Sequence, residues 1–149
     1  MSLQEKIEQN LVQAMKDKDE LKVSTLRMLK SALKNKEIEK KTALNDDEII
    51  QVTQSQIKSR QDSITLYTKG DRTELAEKEE KEIAILKEYL PEQLSEEEIK
   101  NKVKEAIQKT GAQDIKDMGK VMGVLMGELQ GKADGSTISA IVKEELQKN

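Results

Sequence analysis

The chain carries few side chains that could do covalent or proton-transfer chemistry. Its 149 residues contain no histidine and no cysteine. A Ser-His-Asp triad and a thiol nucleophile are therefore excluded, and a zinc ion would lack its preferred ligands. Only carboxylates, lysines, tyrosines and hydroxyls remain for catalysis. We predict no catalytic residues, no metal site and no cofactor.

A repeat of glycines in a predicted helix is the most informative pattern. Gly119, Gly123 and Gly127 recur at every fourth position and so fall on one helix face. Each weakens a helix by about 0.5–1 kcal/mol relative to alanine, so something must approach that backbone closely. Two interpretations remain open. Either a neighbouring helix of the same domain packs there, or a sugar–phosphate backbone lies there, with Lys116 and Lys120 supplying positive charge.

A second glycine-rich stretch covers residues 131–136 and precedes the last predicted helix. Glycine allows turns with positive φ, and Asp134 or Ser136 can cap the helix. The free N–H groups at the start of that helix could bind an anion beside Lys132. The alternative is a helix-capping loop with no ligand. The spacing of a nucleotide-binding P-loop is absent from this sequence.

Basic residues also form a stripe on the second predicted helix. Arg27, Lys30 and Lys34 share one face, together with Lys41. The stripe is either an ordinary solvated face or a surface that contacts phosphates. The net charge of −3 argues against tight non-specific binding of nucleic acid but does not exclude a local basic patch.

Arg60 is unusual because it lies in an apolar seam of the third predicted helix. A helical hairpin that closes near Gly70 places Arg60 opposite Glu79. We predict a structural ion pair between these two residues, which would set the register of the hairpin. The alternative is an exposed arginine that awaits an anionic ligand.

Helical periodicity and capping signals define the elements that position these residues. Capping boxes are predicted at 45–48, 71–74 and 95–98, and Pro91 should end the preceding helix. The helices are predicted at 2–16, 20–41, 45–68, 71–90, 95–109, 114–130 and about 135–147. The chain is therefore predicted to be all-α, with a long-helix domain of about four helices at 1–91 and a three-helix domain at 95–149.

The location of the protein is predicted from what the sequence lacks. No run approaches the ~18 apolar residues of a membrane-spanning helix, and the first residues show no signal-peptide pattern. We therefore expect a soluble, cytoplasmic protein without a membrane partner.

Four motifs together resemble the GatB/YqeY family across nearly the whole chain. They are Lys58–Ser63, Tyr89–Glu98, Asp117–Gly123 and Gly131–Gly135. The resemblance implies an all-helical protein of two domains. Its C-terminal domain is similar to the tail of the B subunit of the glutamine-dependent aminoacyl-tRNA amidotransferase, a tail associated with tRNA contact. Matched to that tail, the residues implied in RNA contact are Lys116, Gly119, Lys120, Gly123, Gly131, Lys132 and Gly135.

Three functions follow as hypotheses. The first is a non-catalytic accessory protein that binds tRNA or another structured RNA and is linked to tRNA-dependent amidation. The second is a protein-interaction module for a partner in translation, docking through Met118, Met122 and Met126. The third is a carbon–nitrogen ligase with glutamine as amide donor, which is the label that the family implies. We rank it last, because a general base and a nucleotide motif are missing.

Overall fold

The computed structural model describes residues 1–148. Within them the chain forms seven α-helices and no β-strand, so the predicted all-α fold is confirmed. The helices are α1 (Leu3–Lys16), α2 (Glu20–Lys40), α3 (Asp46–Lys69), α4 (Thr73–Lys87), α5 (Glu96–Thr110), α6 (Met118–Glu128) and α7 (Gly135–Gln147). None of these helices has the length and apolar character needed to cross a membrane.

Side-chain caps begin most of the long helices. Asn45 and Ser95 each accept a hydrogen bond from the backbone N–H three residues later, and the glutamates at those positions bond back to the cap residues. The predicted capping boxes at 45–48 and 95–98 are therefore confirmed. Asp19 caps α2 by accepting a hydrogen bond from the N–H of Lys22 at 3.2 Å.

The capping box predicted at 71–74 is wrong. Asp71 adopts a left-handed conformation with φ +55°, and Arg72, which makes no side-chain cap, precedes the first turn of α4. The turn is closed by the backbone instead, because Arg72 N–H donates to the carbonyl of Tyr67 at 2.8 Å. A tight reversal between two long antiparallel helices needs one left-handed residue, which takes Asp71 out of the capping position.

Helix α4 ends at Lys87, three residues before the predicted end at Leu90. Tyr89 is buried, and its hydroxyl accepts a hydrogen bond from the amide of Asn10 at 2.8 Å. Burial of the tyrosine hydroxyl raises the pKa of Tyr89. Tyr89 thus links the end of α4 to α1. After Lys87 the chain continues in two tighter turns up to Pro91, in which the N–H groups of Tyr89 and Leu90 donate to the carbonyls of Leu86 and Lys87.

The chain divides into two compact units, Met1–Leu90 and a second that begins at Pro91. The predicted boundary at 91–95 lies beside this division. In the N-terminal unit, α3 and α4 form an antiparallel hairpin on which α1 and α2 pack. Its core is made mainly of leucine and isoleucine: Ile7, Leu11, Leu26, Leu29, Leu33, Leu44, Ile49, Ile57, Ile83 and Leu86, with Tyr89.

In the C-terminal unit, α5, α6 and α7 each pack against the other two. The buried side chains include Ile99, Val103, Val121, Leu125, Leu129, Ile138, Ile141, Val142 and Leu146. Three short helices around one small apolar core leave the outer face of each helix in solvent. That arrangement decides which residues of α6 are accessible.

Candidate nucleic-acid interface

Helix α6 turns its glycines away from the core of the C-terminal unit. Val121 and Leu125 are fully buried, whereas Gly119, Gly123 and Gly127 are exposed. At about 100° per residue, positions two before and two after Leu125 lie on the opposite side of the helix. The glycines therefore form an outward-facing strip, which we call the glycine strip.

No neighbouring helix of the described C-terminal unit explains the glycines. A Cβ atom built on Gly119, Gly123 or Gly127 would meet no atom within 4 Å, apart from the helix's own adjacent turns. The alternative that a neighbouring helix of the same domain packs on this face is therefore wrong. The glycines weaken α6 without serving any packing within that unit.

Lysines edge the N-terminal end of the glycine strip. Lys116 is exposed in a short 3-10 turn that leads into α6, and the Lys120 side chain is 73% exposed. The nearest described acid is Asp117, whose Oδ1 lies 4.0 Å from Lys120 Nζ. The backbone N–H of Gln113 donates to Asp117 and, with Lys120, keeps the pKa of this carboxyl below its usual range. Asp117 is thus ionised at neutral pH and offsets part of the charge of Lys120.

In the 131–135 loop, one of the glycines predicted to contact RNA is not accessible. Gly131 is buried, so it is not available for contact with RNA. Its carbonyl accepts a hydrogen bond from the Gln93 amide at 2.6 Å, and the next carbonyl, of Lys132, accepts from Leu94 N–H at 2.9 Å. The loop is therefore tied to the start of the unit, and its exposed residues are Lys132 and Asp134.

Gly131 should tolerate substitution poorly, in contrast to the strip glycines. Its φ is +78°, a conformation that strains any residue with a Cβ. We expect Gly131→Ala to lower the unfolding free energy of the C-terminal unit by about 1 kcal/mol or more. Hydrogen exchange of α7 amides measures this, and Gly123→Ala is the control that should have the opposite sign. Unchanged exchange in Gly131→Ala would contradict the structural role.

At the other end of the loop, Gly135 is half-buried and begins α7. A Cβ built there would lie 3.8 Å from the terminal methyl of Met126. Asp134 makes no cap to the backbone of α7; it accepts instead from the hydroxyl of Ser136. The structure thus brings Gly135 beside the C-terminal end of α6, while Lys116 and Lys120 lie at the opposite end of that helix.

The methionines of α6 do not form the docking surface that we predicted as an alternative. Met118 and Met122 are half-buried and pack against the core of the C-terminal unit. Only Met126 is largely exposed, at 48%. Methionines with helical spacing here fill a core edge, as flexible apolar side chains often do.

The predicted basic stripe on α2 divides into two parts. Lys30 points toward α1, where its Nζ lies 3.8 Å from Glu8. Arg27 instead borders a groove between α2 and α3. Lys34 is exposed like both of them and lines the same α1–α2 groove as Lys30, together with Glu8 and Glu37. Acidic side chains therefore lie beside two of the three cations of the predicted stripe.

Arg60 is 5% exposed and lies within an ion-pair cluster. Its Nε is 3.0 Å from Glu82 Oε2 and 4.0 Å from Glu79 Oε2, so the nearer carboxylate is not the predicted one. Long helical side chains lean toward the N-terminus of their own helix. In an antiparallel hairpin, that lean carries Arg60 toward higher residue numbers on α4, from Glu79 to Glu82.

Most of the remaining donors of Arg60 are also occupied. Nη1 donates to the carbonyl and to the side-chain oxygen of Gln56, both at 3.0 Å, and Nη2 lies 3.6 Å from the sulfur of Met28. Burial and the neighbouring Glu82 raise the pKa of Glu79. An arginine with these partners is not waiting for an external anion, so the alternative of an anion-binding Arg60 loses its basis.

The chain is similar to known proteins along nearly its whole length. The family model for Yqey-like proteins matches residues 4–146. The chain is similar to altered inheritance of mitochondria protein 41, mitochondrial, of Vanderwaltozyma polyspora, with 36% identity over 75% of this chain and 64% of the relative. It is 40% identical to the protein of that name in Lachancea thermotolerans, over 56% of this chain and 46% of the relative. An uncharacterised protein of Schizosaccharomyces pombe is 33% identical, over 63% of this chain and 76% of the relative.

These relatives correct the predicted location of the protein. The cytoplasmic location predicted from the sequence is wrong on this comparison, because the relatives whose names state a compartment are mitochondrial. The chain spans less than two thirds of the length of these mitochondrial relatives. The family match covers both units and nearly every described residue, and the chain belongs to the YqeY-like family.

Proposed function

We propose that this protein is an accessory factor that binds tRNA or another structured RNA through the glycine strip of α6. The observation that carries the proposal is the open face of Gly119, Gly123 and Gly127. Three exposed glycines cost a helix about 1.5–3 kcal/mol in total relative to alanine. Because no packing within the C-terminal unit requires these glycines, we attribute the loss of helix stability to an external molecule that must come close to the helix backbone.

The charge beside the strip favours an RNA backbone as that molecule. Lys116 and Lys120 lie at the end where the α6 dipole is positive, and both are exposed. Phosphates would bind at this end, and sugars would lie along the bare backbone of the glycines. Recognition of this kind follows the shape of a folded RNA and does not depend on base sequence.

The role in the cell is proposed to be linked to tRNA-dependent amidation. The resemblance of the C-terminal unit to the tail of an amidotransferase B subunit supports tRNA as the RNA class. We assign no reaction to residues of this chain, and a protein partner in translation would supply any chemistry. Lys132 is a third candidate for phosphate contact, and Gly135 borders the same surface through Met126.

The direct test is binding of purified tRNA over a range of salt concentrations. Replacing Lys116 and Lys120 with glutamine should weaken binding alike for different tRNA species. It should also reduce the slope of log affinity against log salt by about one unit for each phosphate that the variant no longer neutralises. Filter binding or fluorescence anisotropy measures both quantities.

The matched control replaces Lys104 and Lys143, two other exposed lysines of the C-terminal unit, with glutamine. It changes the net charge equally and should leave most of the affinity intact. Absence of tRNA binding at low salt by the wild-type chain would end the proposal. Equal losses in the two double variants would show attraction to general charge and would also contradict a site on α6.

A further inference from the structure

Helix α2 presents a continuous uncharged stripe to solvent. All five of its members are exposed, including Met28 at 51% and Ile38 at 66%. We call it the α2 outer stripe, and it consists of Ser24, Met28, Ser31, Asn35 and Ile38. Charged residues make up 37% of this chain, and solvated helix faces ordinarily carry them. An exposed stripe without charge therefore calls for an explanation.

The spacing of the stripe is that of a coiled-coil seam. Its members alternate steps of four and three residues, which places Met28 and Asn35 at a positions and the other three at d positions. The opposite side of α2 holds Leu29 and Leu33 in the core of the N-terminal unit. Helix α2 thus carries two seams. The inner one is packed in the core of the N-terminal unit, and in the outer one the sulfur of Met28 lies 3.6 Å from Arg60.

A groove lies beside the outer stripe. It runs between α2 and α3, and its lining includes Met28, Ser31 and Asn35 from the stripe together with Ala32 and Gln56. The stripe spans two heptads, about 21 Å at 1.5 Å per residue. Small side chains at Ser24 and Ser31 allow the close approach that helix pairs require.

One flank of the stripe carries two basic residues. Arg27 and Lys34 occupy the g positions beside it, and both are exposed, whereas Glu20 holds the earlier g position at the start of α2. Lys41 follows the last residue of α2 and has a φ of +66°. Lys30, the other cation of the predicted basic stripe, lies on the side of α1 beside Glu8 and is not part of this flank. Charges at flanking positions select the partner in coiled coils, because unlike charges attract and like charges repel across the interface.

We propose that the α2 outer stripe docks an amphipathic helix of a partner protein, with an apolar heptad seam and acidic residues on the flank that meets Arg27 and Lys34. Asn35 sets the register, since a polar residue at an a position is satisfied only opposite a polar residue of the partner. An antiparallel second copy of this chain would place the basic flanks against each other, which disfavours that arrangement.

The test uses two synthetic helical peptides with the same leucine and alanine seam. One carries glutamate at its flanking positions and the other carries lysine. Fluorescence anisotropy with the full chain should show affinity for the glutamate peptide about tenfold or more above that for the lysine peptide at low salt. Arg27→Glu combined with Lys34→Glu should reverse the preference, and Ser31→Glu should weaken binding of both peptides.

A matched charge reversal provides the control. Lys69→Glu combined with Arg72→Glu changes two exposed cations at the end of the α3–α4 hairpin and should leave the peptide preference unchanged. Equal affinity for both peptides, or no binding of the glutamate peptide, overturns the proposal. So does self-association that Ser31→Glu abolishes, or loss of tRNA binding on reversal of Arg27 and Lys34. The last two results would assign the stripe to a second copy or to RNA.

Discussion

Replacing Arg60 with methionine should destabilise the N-terminal unit by about 3–5 kcal/mol, because Glu82 would remain buried without its counter-charge. Glu82 lies 3.0 Å from Arg60 Nε, and both side chains are more than nine-tenths buried. The chain's two tyrosines, Tyr67 and Tyr89, both belong to this unit, and there is no tryptophan. Urea unfolding followed by tyrosine fluorescence therefore reports on the N-terminal unit alone.

Two further variants separate the ion pair from other effects of Arg60→Met. Arg72→Met, at an exposed position of the same hairpin, should change stability by no more than about 0.5 kcal/mol. The double variant Arg60→Met with Glu82→Met should recover most of the loss, because an apolar pair in place of a buried ion pair is often neutral. A double variant as unstable as Arg60→Met would show that packing of the arginine dominates.

The stability lost on Arg60→Met should also depend on pH, in a direction set by the titration of Glu79. Burial raises the pKa of Glu79 already in the wild type, and removal of Arg60 should raise it further. A carboxyl whose folded pKa is raised binds a proton more readily in the folded state. The free energy of unfolding therefore rises as the pH falls from the folded pKa of this carboxyl to its unfolded pKa. The loss should be smaller at pH 5 than at pH 8, and an equal loss at both would contradict the account.

The second large effect concerns the glycine strip, where stability and binding should change in opposite directions. Alanine at positions 119, 123 and 127 should stabilise the C-terminal unit by about 1.5–3 kcal/mol, since each exposed glycine weakens α6. The same three methyl groups would hold an RNA backbone away from the helix. Affinity for tRNA should therefore fall by about tenfold or more.

Hydrogen exchange of α6 amides measures the stability of the triple variant, and anisotropy with tRNA measures its binding. Gly70→Ala is the matched control, because Gly70 has a negative φ and ordinary contact distances in the other unit. It should leave tRNA affinity unchanged. A triple variant that is more stable and binds tRNA as well as the wild type would remove the glycine strip as the site.

Local signals were sufficient for most helix ends. Asn45 and Ser95 satisfy backbone donors three residues away, so their effect depends on neighbours in the sequence. Gly111 ends α5 with φ +71°, as expected of a glycine after the last turn. Two predicted ends were wrong. Helix α4 starts without the predicted capping box, after a left-handed Asp71, and it ends at Lys87 rather than Leu90.

In the candidate site, too, some features follow from the sequence and others depend on the packing. The periodicity of Gly119, Gly123 and Gly127 follows from spacing alone, because a regular helix places every fourth residue on one face. Whether that face is open depends on where α5 and α7 lie, which only packing determines. Gly131 could not be separated from the exposed glycines by type, since burial of its carbonyl depends on Gln93.

The amino-acid pattern alone was enough for the helical class, the capped starts of α3 and α5, the placement of Arg60 in a seam and the shared face of three glycines. All of these depend on helical geometry and on groups within about one turn of each other. The tertiary structure decided that Glu82 is the nearer partner of Arg60, that Gly131 is buried and that the outer faces of α6 and α2 are uncovered. These depend on side chains brought together from different helices, and spacing along one helix carries no information about them.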